Sequence, residues 1–547
     1  MSAMWGTVAI LEQLIAEGVE AAFGVPAVQS QRLYDGLYEV QDRLRHVVAR
    51  HEGGAAFMAD GYARTTGRPA AVFAVGGPGL TNALTGIGEA WAASSPMIVI
   101  SSVVPLASLN QRKQLGHDVH NQIQITAPVT AWNKIVYSTE DLPGSIHEAM
   151  RRIRIGRPRP IELEIPQDVS DRLCEIDLIP RFNEEPPAGD ESDLDLAQGL
   201  LARARSVVIF AGGGVIRSGA WRELTELAER LGATVFTSVT GRGAIPDAHA
   251  LSVGALWMGV EAAQSLVESA DLVLAVGARL AGLYNMRPKR LIQIDIDRAE
   301  IDGPSLASAS IVGDARAVLA RLLAMLPASA DRADQESMRA RIRAEAEKAA
   351  ARQGPVAMEV LRQVRSAMPD EAIMTSDSLI GLWANRYFEL RRPRSMHNPF
   401  GFGTLGFALP GGIGAHVGSR APVVALGGDG AFMFTCGELA TAVQERAKVC
   451  SVILNDRGYE AIRYRQRVEY DGRYIAADLH TPDFCKLAES FGVPAVRVND
   501  LGDLGPAIET ALKENGPSLV EVTMGCEVPP AFSRTPPRLQ NGTASRV

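Results

Sequence analysis

The triplet Gly428-Asp429-Gly430 closes one apolar run, and Asn455-Asp456-Arg457-Gly458 closes the next. Residues 435–446, between them, carry a helical pattern, so the stretch reads as strand, glycine turn, helix, strand. Strands joined in this way end side by side. The Asp429 carboxylate and the Asn455 amide oxygen would then project together over a helix N-terminus whose free N–H groups can hold phosphate. Magnesium prefers hard oxygen ligands and fills the rest of its octahedron with water and ligand phosphate oxygens, which makes Asp429 and Asn455 candidate side-chain ligands. The flanking glycines let the backbone approach a phosphate with no Cβ in the way. A Gly-Asp-Gly triplet by itself also makes ordinary turns. The asparagine after the following buried strand turns this one into a candidate site for a metal-bridged diphosphate.

These residues resemble the signature of thiamine diphosphate enzymes, the group that includes acetohydroxyacid synthase, benzoylformate decarboxylase and 5-guanidino-2-oxopentanoate decarboxylase. The likeness covers nearly the whole chain. The segment Arg50-His51-Glu52-Gly53-Gly54-Ala55-Ala56-Phe57-Met58-Ala59-Asp60-Gly61-Tyr62-Ala63-Arg64 is similar to the one that supplies the family's catalytic glutamate. Gly76-Gly77-Pro78-Gly79-Leu80-Thr81-Asn82 resembles its glycine-rich companion loop, and Gly403-Thr404-Leu405-Gly406-Phe407 the segment that grips the aminopyrimidine.

The resemblance implies a 2-oxo acid decarboxylase that uses thiamine diphosphate and Mg2+ through a C2 ylid and an enamine. Glu52 would share a proton with the aminopyrimidine, a role favoured by burial among Ala55, Ala56, Phe57 and Met58. A glutamate in isolation is more often a surface residue of a helix. The Gly403 carbonyl would accept from the cofactor's amino group, and Leu405 would wedge the cofactor into its bent shape, although a buried leucine is also ordinary core. Gly428, Gly430, Ala431, Gly458 and Tyr459 join the cofactor contacts on the diphosphate side, with Pro26, Gly77 and Asn82 on the other. Arg457 joins Asp429 and Asn455 as a metal-binding position.

Residues 114–122 match in position the loop that lines the substrate pocket. Acetohydroxyacid synthases place Phe-Gln where this chain has Gly116-His117, which opens the pocket and adds a titratable group. His117 or His120 could deliver a proton after CO2 leaves, because imidazole titrates in the useful range. The bland reading of each is a surface or capping histidine. Arg463 and Arg465 either hold an acidic substrate group or line a solvated helix. The alternatives are an acetolactate synthase-like carboligase and a non-catalytic, cofactor-binding regulatory subunit, although retention of Glu52 speaks for activity.

Composition bounds the rest. At about 150 residues per domain, 547 residues give three or four domains, and a 46% hydrophobic content suffices for folded cores. No run approaches about 18 apolar residues, so no membrane span is expected. Residues 1–8 lack the features of a signal peptide, and five cysteines without metal-ligand spacing suit a reducing compartment, so a cytoplasmic protein is expected. A net charge of −8 offers no footprint for nucleic acid.

Apolar runs at 21–23, 70–75 and 97–102 alternate with helical patterns at 8–15 and 80–93, which argues for a parallel sheet with helices on both faces. The expected fold is α/β, with three doubly wound parallel-sheet domains: pyrimidine-binding (1–175), central (190–327) and diphosphate-binding (355–529), then a tail (530–547) without a packable period. The acidic, proline-containing stretch 183–195 reads as a linker, and 328–353 as a charged, solvated helical connector. Gly212-Gly213-Gly214 lacks the G-x-G-x-x-G spacing, though Asp295 and Asp297 could mimic a ribose-binding acid. Gly277-Ala278-Arg279-Leu280-Ala281-Gly282 departs from the flavin loop of acetohydroxyacid synthases, so a structural role is expected there, with bound FAD as the alternative. The resemblance also implies a homodimer at minimum, and a homotetramer as the expected assembly.

Overall fold

Apolar runs become short strands buried on both faces: Ala70–Ala74 follows Pro69, Val207–Ala211 ends at Gly212, and Val449–Leu454 lies between Lys448 and Asn455. The computed structural model describes residues 2–111, 113, 115–256, 259–280, 288–301, 307–327 and 333–529. Among them eighteen strands assemble into three six-stranded sheets, every pairing within which is parallel, and Ser2–Trp5 pairs antiparallel with Leu173–Ile176 as a separate two-stranded sheet. Helices cover both faces, and the α/β class follows.

The first sheet runs Arg45–Val48, Ala21–Gly24, Ala70–Ala74, Met97–Val103, Ile161–Pro166, Trp132–Ile135. The third runs Met396–His397, Ile373–Ser376, Val423–Gly428, Val449–Leu454, Ser518–Val522, Ala495–Val498. Counted within each sheet, both have the order 2-1-3-4-6-5. The middle sheet runs Ser252–Gly254, Thr234–Thr237, Val207–Ala211, Leu272–Val276, Leu291–Asp295, Ala309–Val312, which is the order 3-2-1-4-5-6.

The first and third sheets share one core. Met58, Val72, Val99, Ile413, Val449 and Leu519 belong to the same buried cluster, whereas the middle sheet packs within clusters of its own. The contact between the two outer units is made by Glu52–Thr66 and Ala408–Ser419, the helices that follow the second strand of each. They cross so closely that a Cβ on Gly61 would stand 2.0 Å from the Gly411 carbonyl oxygen, and one on Gly414 1.9 Å from that of Met58. The glycines there are required by packing.

Three expectations need correction. Residues 435–446 do not form one helix: Asp429–Phe432 is a short helix, Cys436–Glu438 a 3-10 turn and Leu439–Gln444 a second helix. The break turns Glu438 inward, where its carboxylate accepts from the N–H groups of Arg50 and His51 and from Thr441. The connector is helical over Glu336–Gln353 but not wholly solvated, because Ile342, Ala346 and Ala350 bury one stripe; residues 328–332 lie outside the described set. The stretch read as a linker is already helical from Glu191. The tail 530–547 also lies outside the described residues, and no described helix is long and apolar enough to cross a membrane.

Candidate active site

Strand Arg45–Val48 feeds the helix Glu52–Thr66, and His51 caps it, with Nδ1 accepting from the Gly53 N–H at 3.0 Å. Glu52 is therefore the first helical residue, where the free N–H groups and the helix dipole favour a negative charge. It is half-buried, and its Oε2 accepts from Asn82 Nδ2 at 3.0 Å. Ala55, Ala56, Phe57 and Met58 are buried behind it, so the expected apolar backing is present although Glu52 itself keeps an open side. Burial first, and then the Glu52 charge, pushes the nearby Tyr34 phenol up.

The loop after Ala70–Ala74 passes under the same carboxylate. A Cβ on Gly79 would lie 3.2 Å from Glu52 Oε1, and Gly77 takes a left-handed φ of 65°. The Gly77 N–H donates to Gln122 Oε1 at 2.7 Å, and a Cβ on Gly77 would stand 2.9 Å from the His117 carbonyl oxygen. His117 thus rests on the glycine loop. Its Nδ1 is buried and has no hydrogen-bond partner among the described residues. His120, Pro26 and Asn82 are exposed, and Gln114 lies outside the described residues.

In the third unit, Val423–Gly428 and Val449–Leu454 pair in register with Gly428 opposite Leu454, so Asp429 and Asn455 leave the ends of neighbouring strands. Asp429 is 1% exposed and has no ion-pair partner among the described residues; its oxygens accept from the N–H groups of Gly430 at 2.7 Å and Gly458 at 3.2 Å. Burial pushes its carboxyl above the ordinary value. Asn455 Oδ1 accepts from the Arg457 N–H at 3.3 Å. Gly430 is backed by Tyr459, whose ring would lie 2.6 Å from an added Cβ, and Ala431 is buried in the short helix that Asp429 opens. The Arg457 carbonyl is already engaged, by the Leu479 N–H at 2.8 Å and Arg463 Nη2 at 2.5 Å.

Gly403 is exposed with a left-handed φ of 77° and open space where a Cβ would be, and Leu405 is half-buried beside it. The loop is pinned by Asp377, whose Oδ2 accepts from the N–H groups of Gly406 and Ala408, both at 3.0 Å. Sequence reading missed Asp377, Glu438 and the role of Gln122. The one available signal was Asp377 directly after the strand Ile373–Ser376, the position from which side chains reach a sheet's C-terminal edge. On a helix that buries no residue, exposed Arg465 pairs with Glu469, which favours its solvated-helix reading, whereas Arg463 is tied to Asp478 and to the Arg457 carbonyl.

Models of thiamine pyrophosphate enzymes match three segments: the N-terminal TPP binding domain at residues 4–126, the central domain at 194–322 and the C-terminal TPP binding domain at 379–522. The chain belongs to the thiamine pyrophosphate enzyme family. It is 36% identical to a probable 2-ketoarginine decarboxylase of Pseudomonas aeruginosa, over 95% of this chain and 94% of that one. It is 34% identical to a probable acetolactate synthase large subunit of Methanocaldococcus jannaschii, with 95% and 92% covered. The large subunit of acetolactate synthase isozyme 1 of Escherichia coli is 31% identical, with 96% of both chains covered.

The third unit suits the family's cofactor on its own evidence. A buried carboxylate with no ion-pair partner among the described residues, an amide oxygen and a glycine cradle form a hard-oxygen donor set for a divalent ion carrying a diphosphate. The middle unit is different. Its glycines are spent on the backbone: the N–H groups of Gly212 and Gly214 donate to the Val276 and Gly277 carbonyls. The Asp295 and Asp297 carboxylates accept from local N–H groups of their own loop. A cavity of ≈ 630 Å³ does open between this unit and its neighbours, lined in part by Arg64, Arg157, Arg217 and Arg394. Residues 281–282 of the loop compared with flavin enzymes lie outside the described set.

Proposed function

We propose that the chain is a thiamine diphosphate- and Mg2+-dependent decarboxylase of a 2-oxo acid. The observation that carries this reading is the meeting of Glu52, held by Asn82, with the Gly77 loop on which His117 rests. When bound, thiamine diphosphate supplies a carbon nucleophile for the oxo group and accepts the electrons released as CO2 departs.

The chain's own residues supply the rest. Glu52 moves a proton on and off the aminopyrimidine, and the Gly403 carbonyl accepts from its amino group. Leu405 would support the cofactor, with Pro26, Gly77 and Asn82 on the opposite side. Asp429 and Asn455 hold Mg2+. Gly428, Gly430, Ala431, Gly458 and Tyr459 enclose the diphosphate. Arg457 can add its carbonyl only if Arg463 swings aside, because both lone pairs of that oxygen are in use. His117 delivers the proton that replaces CO2, since its buried Nδ1 has no other partner among the described residues; exposed His120 is the weaker candidate. Such a proton donor favours release of an aldehyde over attack on a second carbonyl, and the 2-ketoarginine decarboxylase relative agrees with this choice. The chemistry itself needs no flavin.

The open side of Glu52 is where a second subunit's third unit would close the site, which makes a dimer the smallest active form and a tetramer the expected one. Five free cysteines fit a reducing, cytoplasmic setting. The test is CO2 release with product identification, using thiamine diphosphate, Mg2+ and a panel of 2-oxo acids, each with and without pyruvate. An aldehyde as sole product is expected. An acetohydroxyacid would make the protein a carboligase, and no CO2 from any substrate would leave a binding subunit. Activity from a monomer in sedimentation would overturn the assembly.

A further inference from the structure

An asparagine ligand has two ends and only one of them binds a cation. A carboxamide flip would aim an NH2 group at the metal, so something must fix Asn455 with its oxygen on the correct side. The loop side is marked by neighbouring donors: Asn455 Oδ1 takes the Arg457 N–H and the Thr481 hydroxyl, both at 3.3 Å, and Asp429 Oδ2 takes the Gly458 N–H at 3.2 Å. The two oxygens therefore converge on one turn. The other end of Asn455 points away, its Nδ2 donating at 2.7 Å to Glu521 Oε1.

Glu521 is 2% exposed on Ser518–Val522, in register with Ile453 on one side and Arg497 on the other. Arg497 Nε donates to its Oε2 at 2.9 Å, Arg497 Nη2 also reaches Asp483 at 2.7 Å, and Cys485 Sγ lies 3.7 Å from Oε2. The grouping of Asp483, Cys485 and Glu521 is thus organised around a guanidinium and is an ion-pair network, not a metal centre. An ionised carboxylate only accepts hydrogen bonds, so it welcomes the Asn455 NH2 and repels its oxygen.

We propose that Glu521 is a positioning residue that locks the Asn455 carboxamide with Oδ1 toward the metal and diphosphate, in the way partners behind a ligand orient it at metal sites. The inference rests on the assignment of Asn455 as a Mg2+ ligand. Its test is a double-mutant cycle of Glu521→Gln and Asn455→Asp. The readout is the Mg2+ concentration that half-saturates thiamine diphosphate binding, followed by intrinsic fluorescence, alongside thermal unfolding without cofactor.

In the native background, E521Q is expected to raise the half-saturating Mg2+ by about 10- to 100-fold while high Mg2+ restores binding. In the N455D background two carboxylates face each other, so the same substitution is expected to lower it. An equal change in both backgrounds, or none in the native one, overturns the proposal. Arg497→Met, at a partly exposed position, loosens Glu521 without removing it and is expected to raise the Mg2+ requirement less. No rise there also counts against the lock. If the unmodified chain fails to bind thiamine diphosphate with Mg2+, the cofactor assignment itself falls and this inference falls with it.

Discussion

The first and third sheets have the same strand order, yet their C-terminal edges carry different chemistry. After the second strand, the first unit places Glu52 where the third places the Gly403–Leu405 loop, and the helices that follow pack on each other. After the third strand, the first unit has the glycine loop at Gly77 where the third has Gly428-Asp429-Gly430. The sixth strands match in position, each with a buried glutamate: Glu521 is paired with Arg497, whereas Glu164 has no ion-pair partner among the described residues. One scaffold thus offers equivalent loop positions, and the residue type at each position sets which chemistry that loop can serve.

That contrast can be broken by substitution. Glu52→Gln is expected to reduce kcat by on the order of 10²- to 10⁴-fold while leaving cofactor binding nearly intact. Unchanged turnover would remove proton transfer from the first unit. Asp429→Asn acts on the other half: the Mg2+ requirement is expected to rise beyond the roughly 100-fold limit typical of residues behind a ligand, and excess Mg2+ should recover activity. A loss of kcat that no Mg2+ concentration repairs would place chemistry in the third unit too.

Gly414→Ala tests the joint between the two units, because its Cβ would collide with the Met58 carbonyl oxygen. A destabilisation of roughly 1–3 kcal/mol or more is expected, seen as a lower unfolding temperature. An unshifted transition would mean that the helices can separate at little cost.

The smallest effect sharpens the sixth-strand comparison. Burial, followed by the neighbouring Glu162 charge, raises the Glu164 carboxyl from an ordinary 4.5 to about 8. An acid that stays protonated in the fold but ionises in the unfolded chain makes stability fall as pH rises from about 4.5 to about 8, after which it levels. Glu164→Gln is therefore expected to stabilise the protein at pH 8 and above, with the gain fading toward pH 4.5. A gain independent of pH would show that the carboxyl titrates alike in the folded and the unfolded chain, and that burial does not raise it.

Much of this was legible in the chain itself. Apolar runs punctuated by glycine set the strands, since a strand buried on both faces needs unbroken hydrophobic sequence. The Asp429 and Asn455 pairing followed from strand register, because consecutive parallel strands end at the same edge. The helix expected at 435–446 failed because local propensity carries no record of the distant N–H groups that draw Glu438 inward. The charged connector misled for a related reason, since a stripe of alanines is too weak a hydrophobic signal to announce burial.

Sequence by itself determined the family, the sheet architecture and the residue types at the strand ends, because these depend on patterns only a few residues long. Only the tertiary structure decided that His117 rests on Gly77, that the Arg457 carbonyl is occupied, and that Glu521 faces Asn455. Each of those facts joins residues that are distant in the chain, and the packing that brings them together is a property of the whole fold.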